Sequence, residues 1–433
     1  MPTIARHSSS LLRRCWPIVA LALLPVAPGI ARGEPWQDAK QALSARDVTP
    51  AIVYDGLVSS TLDGGQQRGA TSIGNLHLQL SLDGDALLHL PGLTAFFDGL
   101  WIHGGQPSRY AGDAQGISSL AGPHRFKFYE AWLQYNFDQS RLSALGGLYN
   151  LNSEFYRLQS AGLFLNSSFG IGPEFGQSGV EGPSIFPFTA LGARFAYKPA
   201  PNIVLRAAVL DGIPVDRPQA ATGLFESHDG VLLVAEAAFL DRPPKEAMPP
   251  DPRFRIGRAS GQPPYDNKLA LGAWHYTTTL DDLSNVGADG RPLQHHGSSG
   301  AYAIADHLLF QSETDSAERV SVFLQAGLGD GRVDRFGAYL GAGIAATALL
   351  PGRDNDQAGF GAALARNGTH YRAAQQQRNT PATKSEIALE TTYLAQLTDC
   401  LALQPDVQYV IDPNTNPALG NALVLQLEAE LSF

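Results

Sequence analysis

The most regular feature of the chain is an alternation of apolar and polar residues in runs of about ten. The last run places Leu423, Leu425, Leu427, Ala429, Leu431 and Phe433 on one face, and Val424, Gln426, Glu428, Glu430 and Ser432 on the other. A period of two predicts a β-strand. One apolar face opposite a charged face is typical of a strand that separates lipid from water.

The same alternation recurs in five further runs along the chain. No proline interrupts any of these runs, as paired strands require. No stretch after residue 33 contains 18 consecutive apolar residues, so the sequence predicts no helical membrane span. The further runs lie at residues 126–137, 190–197, 203–209, 231–239 and 386–391.

The number and chemistry of the runs favour a closed sheet. About 400 residues, at roughly 25 per strand with its connection, predict about 16 strands. A soluble β-sandwich alternates too, but it would bury the Glu and Arg side chains of the polar faces at high cost. We therefore predict an all-β, antiparallel transmembrane β-barrel with short periplasmic turns and long external loops. Asp241 to Lys268 and Asp281 to Ser299 are two predicted long loops.

The first 33 residues have a different pattern from the rest. Arg6, Arg13 and Arg14 precede an apolar stretch that ends near small residues, which is typical of a secretory signal peptide. We predict a signal peptide at 1–33 and a single barrel domain at 34–433; a retained N-terminal anchor is the alternative. Cleavage would leave Cys400 as the one thiol, so we expect no intramolecular disulfide.

Composition narrows the function classes. Only 17% of the 433 residues are charged, against about 25% in ordinary soluble domains. Removal of the predicted signal peptide leaves 27 basic residues against 41 acidic ones, a net charge of −14 in place of −10. An acidic chain of this kind argues against nucleic-acid binding.

Several blocks resemble the carbohydrate-selective porin family, OprB, and follow one another in that family's order. Two departures are visible: the family's Trp-Gly-Gly segment is absent around Trp36, and Gln325 stands where the family often has a basic residue. The blocks are Gly64–Gly69, Tyr129–Gln134, Asn152–Phe155, Phe164–Gly170, Phe186–Pro187, Ala190–Arg194, Leu271–His275, Gly300–Asp306 and Leu403–Pro413.

The resemblance implies a barrel of 16 strands in the outer membrane of a Gram-negative bacterium. Its implied function is passive diffusion of mono- and disaccharides through a water-filled lumen, with sugars and outer-membrane lipid as partners and without a cofactor or metal. Monomer and homotrimer are both open. The alternatives are a barrel enzyme that acts on lipid and a β-rich surface binding protein.

A sugar channel needs hydrogen-bonding side chains that face the lumen, and aromatic faces for sugar rings. Trp132 is a candidate stacking platform, and Asn152 and Arg206 lie in the same inward phase. The alternative is that these residues are solvated and only tune the local field. The pore-lining candidates are Glu130, Trp132, Gln134, Glu154, Arg194, Glu236, Glu390 and Gln408.

Motifs of enzymes and metal sites are weak. The sequence has no G-x-S-x-G, H-E-x-x-H or P-loop pattern, so we predict that the protein is not an enzyme. His295 and His296 are adjacent in a polar stretch without a nearby set of Cys or acidic ligands. We interpret them as a solvated loop pair rather than a metal site.

Overall fold

A computed structural model describes residues 40–45, 47–138, 140–214, 230–242, 265–313, 317–380 and 382–433. The predicted signal peptide at 1–33 lies outside these residues and stays a prediction. So do residues 243–264 of the predicted loop between Asp241 and Lys268.

Sixteen antiparallel strands form a closed barrel in the described part of the chain, which confirms the predicted fold. Each strand pairs with its neighbours in sequence, and β1 pairs with β16 from Val53↔Ser432 to Gly65↔Gly420. Closure leaves no strand edge unpaired, as a sheet in lipid requires. The strands are β1 Val48–Gly65, β2 Gly69–Asp83, β3 Leu93–Gly104, β4 Arg125–Phe137, β5 Leu142–Tyr149, β6 Ala190–Ala200, β7 Ile203–Asp211, β8 Val231–Leu240, β9 Asn267–Val286, β10 Pro292–Gln311, β11 Arg319–Leu328, β12 Phe336–Thr347, β13 Gln357–Asn367, β14 Ser385–Thr398, β15 Leu401–Ile411 and β16 Gly420–Ser432.

The predicted sidedness of the strands is confirmed. In β16, Leu425 is exposed on the outside, whereas Gln426 and Glu428 are buried inside. In β4, Leu133 is outside and Gln134 inside. The apolar faces of the predicted runs therefore form the outer surface, which suits lipid.

The connections alternate between two ends of the barrel. The longest described one, residues 150–189, joins β5 to β6, and residues 105–124 join β3 to β4 at the same end. At the opposite end, only two residues separate β6 from β7 and β14 from β15. The helices are short: α1 Gly84–Leu88, α2 Ser108–Ala111, α3 Ser167–Gly170, α4 Pro173–Gly176 and α5 Thr369–Gln377, with 3₁₀ turns at Leu151–Ser153, Ser160–Leu163 and Pro413–Thr415. In the part of the chain that the structure describes, none of the helices has the length and apolarity to cross a membrane.

The prediction of a long polar loop from Asp281 to Ser299 is wrong. Most of it is a continuation of the β9–β10 hairpin, with Gln294 opposite Asp281 and only residues 287–291 in the turn. Polar side chains on both faces of these strands indicate water on both sides. The backbone hydrogen bonds between the strands still form there, because they do not depend on the side chains. A hydrogen bond of 2.9 Å joins His295 Nε2 and Asp282 Oδ2 and ties the two strands together. His295 therefore lies in a strand, not in a loop.

Candidate functional site

Two connections fold into the barrel, and we call residues 105–124 and 150–189 the lumen segments. Their backbones bond to each other: Ser119 N–H donates to Leu165 O and Ser167 N–H to Gly116 O, each at 2.8 Å. Aromatic rings pack them against the inner wall. Phe175 of the second segment stacks on Trp274 of β9 with ring centroids 4.2 Å apart, and Phe169 meets Phe323 of β11 at 5.7 Å.

Inward-facing carboxylates of the strands accept hydrogen bonds from backbone N–H groups of these segments. Glu390 in β14 accepts from Leu165 N at 2.6 Å and Asn166 N at 3.0 Å. Glu236 in β8 accepts from Tyr156 N, and Glu130 in β4 from Asn150 N, each at 2.9 Å. Each bond satisfies a backbone donor that is buried away from water.

Inward-facing side-chain amides of the strands also bond to the lumen segments, and they donate to backbone carbonyl groups. Gln408 in β15 donates to Ile117 O at 2.9 Å, and it accepts from Asn166 Nδ2 at 3.1 Å. Gln325 in β11 donates to Phe169 O at 2.9 Å. The strand wall thus presents acceptors to segment N–H groups and donors to segment carbonyls.

Arg194 in β6 is the centre of a polar network. It donates to Gln134 Oε1, Glu154 Oε2 and Ser143 Oγ, each at 2.6 Å. Burial alone would raise the pKa of Glu154, but the charges of Arg194 and Arg206 outweigh it and lower that pKa. Glu154 therefore stays ionised and anchors the start of the second segment to the wall.

The eight residues selected from the sequence all lie inside the barrel or on a lumen segment, and protein surrounds them. Trp132 is 2% exposed and packs on Phe96 with ring centroids 5.2 Å apart. None of the eight lines the open cavity of the lumen described below, whereas Asn152 does. Glu130, Glu236, Glu390 and Gln408 bond to the lumen segments, and Gln134 bonds to Arg194, which in turn holds Glu154. The role of the eight residues in sugar binding stays a prediction.

An open cavity of about 390 Å³ lies between the lumen segments and one side of the barrel wall. Small-molecule sites usually have about 300–1,000 Å³. The wall side comes from adjacent strands β16, β1 and β2, with Tyr129 of β4. Its polar side chains are Asp55, Asn75, His77, Gln79 and Glu430.

The segment side of this cavity combines apolar side chains with polar ones, among them Asp113, Gln115 and Arg157. Phe186 and Tyr129 meet edge to face, with ring centroids 6.0 Å apart. The strand side of the cavity is therefore mainly polar, whereas the larger apolar side chains come mainly from the segment side. The larger apolar residues on the segment side include Leu158, Phe164, Phe169, Ile171, Phe186 and Pro187.

The polar wall was not selected from the sequence, although one signal was present. Asn75, His77 and Gln79 alternate with leucines in β2, which is the same pattern that identified the other strands. In β1 the inward face mixes Asp55 with Val53 and Leu57, which hides its polarity. Among the described residues, no group of His, Cys, Asp and Glu has the arrangement of a metal site.

Comparison with known proteins decides the family. The family model described as "Carbohydrate-selective porin, OprB family" matches residues 67–433. The chain belongs to the OprB family. Its members are porins for carbohydrates, so the protein is an outer-membrane sugar porin and the resemblance read from the sequence is confirmed.

Solved structures agree with this OprB assignment at the level of the fold. OprB of Pseudomonas putida at high pH has a TM-score of 0.78 and 17% identity, and the match covers 92% of this chain and 97% of that one. The outer-membrane channel DcaP of Acinetobacter baumannii has a TM-score of 0.51 and 12% identity, with 89% and 97% covered. No curated protein matches the sequence.

Gln325 is the position at which the resemblance read from the sequence leads us to expect a basic residue. Its amide donates to Phe169 O, and Gln325 is fully buried beneath the second lumen segment. A neutral amide at this position supports the segment without adding a positive charge to the lumen.

Proposed function

We propose that mono- and disaccharides diffuse passively through the cavity between the lumen segments and strands β16, β1 and β2. The combination of polar and apolar side chains in the lining of this cavity carries the proposal. A sugar ring has hydroxyl groups at its edge and C–H groups on its faces. Acceptors such as Asn75 and Gln79 suit the hydroxyls, and Phe186 suits an apolar ring face.

The eight sequence-selected residues act, in this proposal, mainly by holding the lumen segments in place. Glu390, Glu236, Glu130 and Gln408 bond directly to the segments. A wall that fixes the segments also fixes the width of the cavity beside them. These residues are therefore proposed to set sugar preference through position, with direct sugar contact left to the cavity walls.

Filling the cavity tests its assignment as the passage. The Ser119→Trp variant adds a bulky side chain to a residue that lines the cavity. We expect a clear fall in single-channel conductance in planar bilayers and in the rate of glucose-driven liposome swelling. Ser119→Ala is the matched control and should behave like the wild type. Wild-type conductance and swelling in Ser119→Trp would place the passage elsewhere.

Export and assembly form the remaining part of the proposal. We propose that residues 1–33 are a signal peptide and direct the chain to the outer membrane of a Gram-negative bacterium. N-terminal sequencing of the outer-membrane form should begin near residue 34.

Ultracentrifugation in detergent distinguishes a monomer from a homotrimer. A lipid-hydrolase assay should detect no activity, and activity lost by a single Ser substitution would favour the enzyme alternative.

A further inference from the structure

A row of acidic and amide side chains crosses the polar wall of the cavity. Glu430 in β16 lies opposite Asp55 in β1, and Asp55 lies opposite Asn75 in β2. All three line the cavity. Like charges directly opposite each other on neighbouring strands destabilise a sheet. Asp55, with a second carboxylate beside it, therefore favours a positive charge in front of it.

Acidic residues outnumber basic ones among the described residues that line the cavity. The acidic ones are Asp55, Asp113 and Glu430, and the basic ones are Arg157 and His77. His77 Nδ1 already lies 2.8 Å from Asp98 Oδ2, and Arg157 donates to Ser153 O at 3.0 Å. Within the part of the chain that the structure describes, Asp55 forms no ion pair.

Hydrogen-bonding capacity points to the same chemistry and is independent of the acidic residues. Asn75 Oδ1 and Gln115 Oε1 are buried and have no hydrogen-bond partner in the described residues, and Tyr129 OH is in the same state. All three residues line the cavity. Asp55 Oδ1 and Asp113 Oδ1 are further acceptors without a partner. Buried acceptors without a donor are costly, so this part of the cavity, on the strand wall and on the segment beside it, favours a ligand that brings several donors.

An ammonium group has three N–H donors, a positive charge and no acceptor. We propose that the wall formed by Asp55, Asn75 and Glu430 binds the ammonium group of a protonated amino sugar. The cavity then passes amino sugars and small cations in preference to neutral sugars, and it disfavours sugar acids. This inference rests on the proposed passage and specifies the charge of its preferred substrate.

The test uses purified full-length protein in planar bilayers and in liposomes. A KCl gradient gives the cation-to-anion preference from the reversal potential. Swelling rates compare glucosamine, glucose and glucuronate at about pH 6, where an amine of ordinary pKa is protonated. We expect cation preference and the order glucosamine, glucose, glucuronate. One ion pair in contact with solvent should change the ratio of the glucosamine and glucose swelling rates by a factor of about two to five.

Matched variants remove the charge and keep the shape. Asp55→Asn, Glu430→Gln and the double variant should bring the three swelling rates together and shift the reversal potential toward zero. Glucose swelling should remain. Asp289→Asn, in the exposed turn between β9 and β10, is the control and should leave both properties unchanged.

Two results would overturn the inference, and they differ in meaning. Glucose swelling without a preference for glucosamine, or a preference that survives in both single variants and the double variant, refutes the ammonium site and leaves the sugar passage intact. A correctly folded barrel without conductance or swelling refutes the passage, and the ammonium preference fails with it.

Discussion

The Glu390→Ala variant should release part of the second lumen segment while the barrel remains folded. Glu390 accepts hydrogen bonds from the backbone N–H groups of Leu165 and Asn166, and it is 1% exposed. Each buried donor that loses its partner costs about 1–3 kcal/mol. Water replaces the missing carboxylate only when the segment moves away from β14. We therefore expect larger and noisier single-channel currents and a weaker discrimination among sugars.

Hydrogen exchange provides the direct measurement for this variant. Exchange at the amides of Leu165 and Asn166 should accelerate strongly, whereas amides of the strands should keep their protection. Glu390→Gln retains one side-chain carbonyl oxygen as an acceptor and should have a smaller effect. Thr391→Ala changes the next residue, which is exposed on the outer face, and should change nothing. Unaltered protection at Leu165 and Asn166 in Glu390→Ala would contradict the role assigned to this carboxylate.

The sidedness of the strands was predictable because lipid and the lumen impose opposite requirements on neighbouring residues. Leu425 and Gln426 illustrate this: adjacent in sequence, they lie on opposite faces. A register error of one residue would have exchanged the faces along the whole strand. The alternation thus determines the barrel and the direction of each side chain.

The course of the lumen segments was not predictable by the same reasoning. Residues 150–189 lack a period of two, and their partners are far away in sequence. Leu165, for example, bonds to a carboxylate 225 residues later. The alternation predicts that Glu390 and Glu430 both face inward, but it does not predict which residues or which cavity they contact. Glu390 meets a lumen segment and Glu430 lines the cavity.

The stability of the second lumen segment should decrease as the pH rises through about 7. Burial raises the pKa of Glu174 in α4 to about 7. Glu174 is fully buried, accepts a hydrogen bond of 3.0 Å from Tyr156 OH, and has no partner for Oε2 in the described residues. A raised folded-state pKa means that the stabilising contribution is complete below the ordinary glutamate pKa and is lost as the pH rises through the folded value. Each pKa unit corresponds to about 1.4 kcal/mol.

Hydrogen exchange of residues 150–189 between about pH 6 and pH 8, corrected for intrinsic exchange, measures this effect. Glu174→Gln carries no titrating proton and should abolish most of the change, whereas the exposed Glu181→Gln on the same segment should keep it. A smaller dependence should persist near pH 6 in Glu174→Gln. Burial raises the pKa of Asp334 to about 6, and Asp334 accepts a hydrogen bond from Gly179 N of the same segment. The same pH dependence in Glu174→Gln as in the wild type would show that ionisation of this carboxyl does not govern the segment.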